Sequence, residues 1–266
     1  MWIDTHCHLD AHEFGGASLA VAREAFDAGV SMIVIPAVEA GNFDVVAQLA
    51  AAAPNASYAL GIHPIYVPQA REEDLVLLRA KVEAALGDPR FVAIGEIGLD
   101  FFIPMLTEPA MRARQDHFLR EQLRIARDFG LPVLMHVRRS QDQVLKHVRQ
   151  IRPNGGIAHA FNGSLQQAQA YVDLGFKLGF GGAMTFTRAL QIRRLAANLP
   201  LEAIVLETDA PDISPAWIHP GRNSPQQLPA IGAMLAELRG MDVDAVRDAT
   251  YANALAVLPR LSQRKS

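Results

Sequence analysis

The octapeptide FVAIGEIG, residues 91–98, is a short apolar run that carries one carboxylate, Glu96. Side chains alternate across a strand, so Val92, Ile94 and Glu96 are expected to share a face. A charge left alone in such a run would be costly, so Glu96 must be paired or bound to a cation. Similar runs recur along the chain, each with Gly, Pro, His or Asp at or near its end. They are WIDTH (2–6), SMIVIPA (31–37), SYALGIH (57–63), PVLMH (132–136), GIAHA (156–160), FKLGFGG (176–182) and AIVLETD (203–209).

Helix-like stretches separate these runs. Within 109–129, Phe118, Leu119, Leu123, Ile125, Ala126 and Phe129 form one apolar stripe at helical spacing. Further helices are expected from Pro225 to about Arg239 and from Val243 to about Val257. Eight strands alternating with helices favour a parallel sheet, and the count favours closure into an α/β TIM barrel, (β/α)8. A doubly wound open sheet is the alternative, although no G-x-G-x-x-G follows the first run to mark a dinucleotide site. No linker rich in Pro, Gly or Ser divides the chain, so residues 1–266 are expected to form a single domain.

Half of the residues are hydrophobic and a fifth are charged, enough to fill a large core. Net charge is −3, from 25 basic and 28 acidic residues, so no basic excess advertises a tight non-specific hold on nucleic acid. Cys7 is the only cysteine, which rules out an intrachain disulfide and fits a reducing compartment. Asp4 and His6 interrupt the first apolar run, so it lacks the core of a signal peptide, and no run reaches the ~20 apolar residues of a membrane span. A cytoplasmic location is expected, with no membrane association and no obligate protein partner evident.

The polar residues fall at one end of the strands. His6 and His8 follow the first and His63 the third; Glu96 ends the fourth, His136 the fifth, His159 the sixth and Asp209 the eighth. In a parallel barrel these ends meet on one rim, where barrel enzymes place their chemistry. Alternation puts Asp4, His6 and His8 on one face with Cys7 opposite, and likewise groups Val205, Glu207 and Asp209. Singly, each has a plainer role: His63 before Pro64 can shape a turn, His136 and His159 can be satisfied core histidines, and Asp209 can cap a turn. Their common position argues for a metal site. Four His and two carboxylates exceed what one catalytic zinc uses, and fit two divalent ions that share a carboxylate, ~3.5–4 Å apart. Imidazole-rich ligation suits zinc or manganese more than magnesium.

The stretches DTHCHLD (4–10), GIHP (61–64), GEIGLD (95–100), QDHFLREQLRIARDFGLPVLMHVRRS (115–140), HAFNGS (159–164), GFKLGFGGAMTF (175–186), LETDAPD (206–212) and RNSP (222–225) together resemble the TatD family of metal-dependent hydrolases, nearly end to end. The resemblance implies a (β/α)8 barrel and a divalent-metal site acting on phosphodiesters, often as a DNase. Carried over by position, it implies that His6, His8, Glu96 and Asp209 hold one metal. Glu96 would bridge to a second completed by His136 and His159. It makes Asp209 the candidate general base and His63 a residue behind the ligands or in contact with phosphate. Many members have a second histidine after the proline of GIHP; Ile65 stands there instead, so one substrate contact is missing.

Arg138 and Arg139, just past His136, are placed to meet phosphate oxygens, and Arg222 could do the same; the plainer alternative is a solvated charge. Gly181 and Gly182 would let the backbone approach the pocket. Asn162, Gly163 and Ser164 read equally as the start of a helix, and Glu207 as support behind the ligands. The expected function is phosphodiester cleavage in nucleic acid, at single-stranded ends or in short oligonucleotides. The runner-up is an amidohydrolase acting on a cyclic amide or base, relatives of which often hold a lysine where Glu96 stands. A barrel that only binds is the third possibility, against which the full ligand set argues.

Overall fold

A computed structural model describes residues 1–263; the last three residues of the expected 1–266 unit lie outside it. Eight strands, β1 (Trp2–Asp4), β2 (Val30–Pro36), β3 (Ala56–Leu60), β4 (Phe91–Asp100), β5 (Val133–Arg138), β6 (Gly156–Ala158), β7 (Phe176–Phe180) and β8 (Ile204–Leu206), pair in parallel in chain order. Helices α1 (Ser18–Asp27), α2 (Phe43–Ala52), α3 (Glu72–Ala85), α4 (Pro109–Asp128), α5 (Gln141–Ile151), α6 (Leu165–Asp173) and α7 (Leu190–Asn198) alternate with them, and α8 (Leu228–Arg239) and α9 (Val243–Val257) follow β8. None is long and apolar enough to cross a membrane, among the described residues.

The open-sheet alternative fails at the seam. Thr5 donates from its backbone N and its Oγ1 to the Leu206 carbonyl, Asp209 N donates to the His6 carbonyl, and His8 N to the Ala210 carbonyl. First and last strands are therefore joined just beyond their regular ends. Asp4 completes the seam, accepting from Thr208 N at 3.0 Å and Thr208 Oγ1 at 2.6 Å. It does not face the cavity with His6 and His8, contrary to the alternation expected of a regular strand.

Every strand but β7 turns an apolar side chain into the barrel. Ile3, Val34, Ala59, Val92, Leu134, Ile157 and Val205 meet there, and Val257, Leu258 and Leu261 cover them from below. Arg260 fastens this cover by donating to the carbonyls of Phe91, Leu86 and Asp88. The other face packs under the helices. The stripe of α4 is seated as its spacing predicts, with Phe118, Leu119, Leu123, Ile125 and Ala126 buried. Helix α6 starts at Ser164 with a reciprocal cap to Gln167, so Ser164 is a helix start.

Several strands stop earlier than their apolar runs. His6, His63, His159 and Asp209 lie just past β1, β3, β6 and β8, in the loops of the C-terminal rim, while Glu96 and His136 remain inside β4 and β5. The simple alternation expected along β4 also fails. Val92 belongs to the barrel interior and Ile94 to the layer beneath the helices. The pairing of β4 with β5 shifts register between Ile94 and Ile97, so Glu96 reaches the cavity by way of an irregularity.

Candidate metal centre

His6, His8, Glu96, His136, His159 and Asp209 converge on the C-terminal mouth of the barrel. His6 Nε2 lies 3.1 Å from Glu96 Oε2 and 3.3 Å from His8 Nε2. Asp209 Oδ1 stands 3.7 Å from the first nitrogen and 3.6 Å from the second. The other oxygen of Glu96 faces His136 Nδ1 at 2.9 Å, His63 Nε2 at 3.3 Å and His159 Nε2 at 3.7 Å. Glu96 is thus central, with one oxygen toward each side. Among the described residues, three overlapping groups have donor atoms close enough to hold an ion: His6, His8 and Asp209; His6, Glu96 and His159; His63, Glu96 and His136.

Carboxylates behind the rings set which nitrogen faces inward. His159 Nδ1 contacts Glu207 Oε1 at 3.1 Å, which leaves Nε2 toward the cavity. Glu207 Oε1 also accepts from Ala160 N, so Glu207 supports a ring and its loop together. Gly179 has no side chain because Glu207 occupies that space: a Cβ there would come within 2.2 Å of Glu207 Oε2. His136 Nε2 contacts Asp100 Oδ2 at 3.1 Å, leaving Nδ1 inward. A ring whose outer N–H is held by a carboxylate presents a fixed lone pair, an arrangement typical of metal-binding histidines.

His63 differs. Its Nδ1 accepts a hydrogen bond from Ile65 N, so in the neutral ring the proton sits on Nε2, which faces the cavity as a donor. Burial, only partly offset by Glu96, lowers its pKa to about 4 and keeps the ring neutral. The turn role and the site role of His63 are therefore the same role.

The charges show the same design. Burial alone would keep Glu96 protonated, but His63, His6 and His136 hold its pKa well below the ordinary value. Burial also opposes charge on His8 and His159. Glu96 and Asp209 nonetheless raise His8 to about 9, and Glu207 and Asp209 raise His159 to about 10. His6 goes the other way, lowered by burial and by the charge on His159. Without a cation the cluster is held together by protons, and a divalent ion can replace them. The donor set of inward nitrogens around shared carboxylates fits such ions.

Asp100 was not singled out by sequence reasoning, although it closes GEIGLD at the end of the strand that carries Glu96. It is buried, and burial raises its pKa; the bonds from His136, Phe102 N and Ile103 N outweigh that and bring it to about 2. Arg138 and Arg139 line the cavity, whereas Arg222 does not: it donates to the Glu13 carbonyl and stacks on Phe14. Gly182 is required by the loop, since a Cβ there would lie 2.1 Å from the Ile213 carbonyl; Gly181 lines the cavity and presses against the Glu207 carbonyl. Asp209 has a left-handed backbone, φ 57°, which Asp tolerates better than most residues. The cavity encloses about 1020 Å³.

A family model described as TatD related DNase matches residues 3–259. An uncharacterized metal-dependent hydrolase of Escherichia coli K12, YjjV, is 40% identical over 253 residues, covering 95% of both chains. The human deoxyribonuclease TATDN3 is 29% identical over 264 residues, covering 97% of this chain and 95% of the relative. The crystal structure of YjjV superposes with a TM-score of 0.91 at 38% identity, over 97% of this chain and 98% of the other.

Proposed function

The chain belongs to the TatD-related DNase family of metal-dependent hydrolases, and from that premise we propose that it cleaves phosphodiester bonds at the ends of nucleic-acid strands. The observation that carries this reading is the position of Glu96, one oxygen toward His6 and the other toward His136, beside the exposed guanidinium of Arg138. The deoxyribonuclease name of the human relative supports the substrate class.

In this reading His6, His8, Glu96 and Asp209 would hold one divalent ion, and Glu96, His136 and His159 would hold a second. Zinc or manganese suits the imidazoles better than magnesium. Bound there, the ions would lower the pKa of a coordinated water and neutralise charge on a phosphoryl oxygen. Asp209 takes the proton from the attacking water at a carboxylate oxygen. The water oxygen bonds to phosphorus as the bond to the leaving oxygen breaks, and the leaving alkoxide takes up the proton that Asp209 holds. His63 donates from Nε2 to a non-bridging oxygen, and Arg138 meets the substrate's charge from the rim. Glu207 and Asp100 keep the His159 and His136 rings in place throughout.

Few phosphates can be neutralised at once by so few arginines, so affinity should depend weakly on salt. A log–log slope of about −2 is expected on single strands, against −6 or steeper for an extended basic surface. The test loads the protein with manganese or zinc, counts ions per chain, and compares a linear single strand with a closed circular duplex across a salt series. Up to two ions per chain and preferential loss of the linear strand are expected. Efficient cutting of the closed circle, or a steep slope, overturns the reading of strand ends. Trace metal after loading overturns the two-ion site.

A further inference from the structure

Charge is unevenly spread around the cavity mouth. In an eight-stranded barrel β1 and β5 stand opposite each other, so the loops after β8, β1 and β2 face those after β4 and β5. The first side carries Asp10, Glu13, Glu39 and Asp212, with His12 beside Glu13; the second carries Arg138 and Arg139, and its carboxylate, Asp100, is buried against His136. Both guanidiniums lie on one exposed ring, with Arg138 Cζ 3.7 Å and Arg139 Cζ 4.6 Å from the centre of Phe102. Among the described residues these stacks are their only side-chain contacts of note, with no carboxylate partner. Arg114, Arg222 and Arg260, by contrast, are spent on backbone carbonyls.

The ring is not loose. Asp100 Oδ1 accepts from Phe102 N at 2.8 Å and from Ile103 N at 3.1 Å, while its Oδ2 contacts His136. One buried carboxylate therefore fixes the Phe102 loop relative to the metal centre. A guanidinium placed over an aromatic ring and without a carboxylate partner keeps N–H donors free, and these match a phosphate in two-point contact.

We propose that Phe102, Arg138 and Arg139 form a clamp for a second phosphate, the neighbour of the one being cleaved, and that the cavity accepts that phosphate from one side only. The inference rests on the phosphodiesterase reading and adds a direction to it. A phosphate at the opposite end of the substrate would face Asp10, Glu13, Glu39 and Asp212 and be repelled. Phe102 positions the arginines, and its role is separable from theirs.

Three substrates decide the matter: a dinucleoside monophosphate with free ends, the same compound with a 5′-phosphate, and the same with a 3′-phosphate. With metal-loaded protein, one phosphorylated form should exceed the unphosphorylated one at least tenfold in kcat/KM, and the other should show no gain. The Arg138→Ala/Arg139→Ala double variant should lose most of that preference. Phe102→Leu keeps an apolar side chain and should lower the preference about threefold. Equal rates on all three substrates, equal gains from both end phosphates, or a double variant that keeps the preference overturns the clamp. A full preference in Phe102→Leu overturns the part given to the ring. If neither these compounds nor bis(4-nitrophenyl) phosphate is hydrolysed, it is the phosphodiesterase reading that falls. Calorimetric titration with a nucleoside 3′,5′-bisphosphate then still decides the clamp: binding at least tenfold weaker in the double variant supports it, and equal binding refutes it.

Discussion

At the lower mouth of the barrel Leu258 and Leu261 lie against the apolar layer of Ile3, Val92 and Val205; at the upper mouth the corresponding space holds His6, Glu96 and His159. Both layers are buried and both are built from residues far apart in sequence. Below, apolar side chains fill space and gain by leaving water. Above, charged and polar groups are confined at close range, where each is tolerable only because another neutralises it. A barrel can thus assign stability to one end and chemistry to the other, and substitutions at the two ends should fail in different ways.

The largest effect is expected from Glu96→Gln. A neutral amide cannot draw cations from two sides, so turnover should fall about a thousandfold, at the upper end of what one lost electrostatic contact costs. The melting temperature should move by less than about 3 °C, because the facing rings can shed their protons once the carboxylate charge is gone and the amide keeps nearly its shape. Turnover near that of the wild type would show that the centre does not depend on a shared carboxylate. The reverse outcome is expected at the other mouth. Leu258→Ala opens a cavity beneath the barrel and should cost about 3 kcal/mol in denaturant unfolding, with turnover per folded molecule unchanged. A variant that stays as stable but loses activity would dissolve the division between the two ends.

A smaller effect separates protons from metal at the upper mouth. In the metal-free protein the pKa of His8 is raised to about 9 and that of His159 to about 10. Each ring must release its proton before its inward nitrogen can bind an ion. Proton release makes affinity rise with pH below these values and level off above them. Between pH 7 and 9, manganese affinity at each position should rise about tenfold per unit, one proton leaving for each ion bound, as measured by competition with a chelator of known pH dependence. Affinity that stays flat over this interval would mean that protons do not hold the empty cluster together.

The barrel and the grouping of polar strand ends were legible because both depend on local spacing. His6 and His8 stand two apart, and each apolar run ends in a recognisable residue. The register shift in β4 was not legible, since it depends on how Ile94 and Ile97 meet the neighbouring strand. Asp4 was misplaced for a similar reason: its partner, Thr208, lies 204 positions away and comes near only when the sheet closes. Asp100 closes GEIGLD, but nothing in that stretch marks its role, and Phe102 carries no motif. Their significance comes from a loop backbone that one carboxylate holds, and sequence periodicity says nothing about loop backbones. Arg222 could not be distinguished from Arg138 by residue type, and only the direction of its side chain separates them.

The seam between β1 and β8 also imposes a schedule. Thr5 waits for the carbonyl of Leu206, which lies 201 positions further along the chain. At a synthesis rate of about 5–20 residues per second, roughly ten to forty seconds separate the appearance of these two residues on the ribosome. Throughout that interval His6 and His8 exist without Asp209, while Glu96, His136 and His159 emerge in turn on a sheet that is still open. A metal captured early at the first position would lack the Asp209 carboxylate and be held by fewer groups. The residues proposed for the first ion are therefore complete only once the last strand has emerged, whereas those proposed for the second are complete some fifty residues earlier.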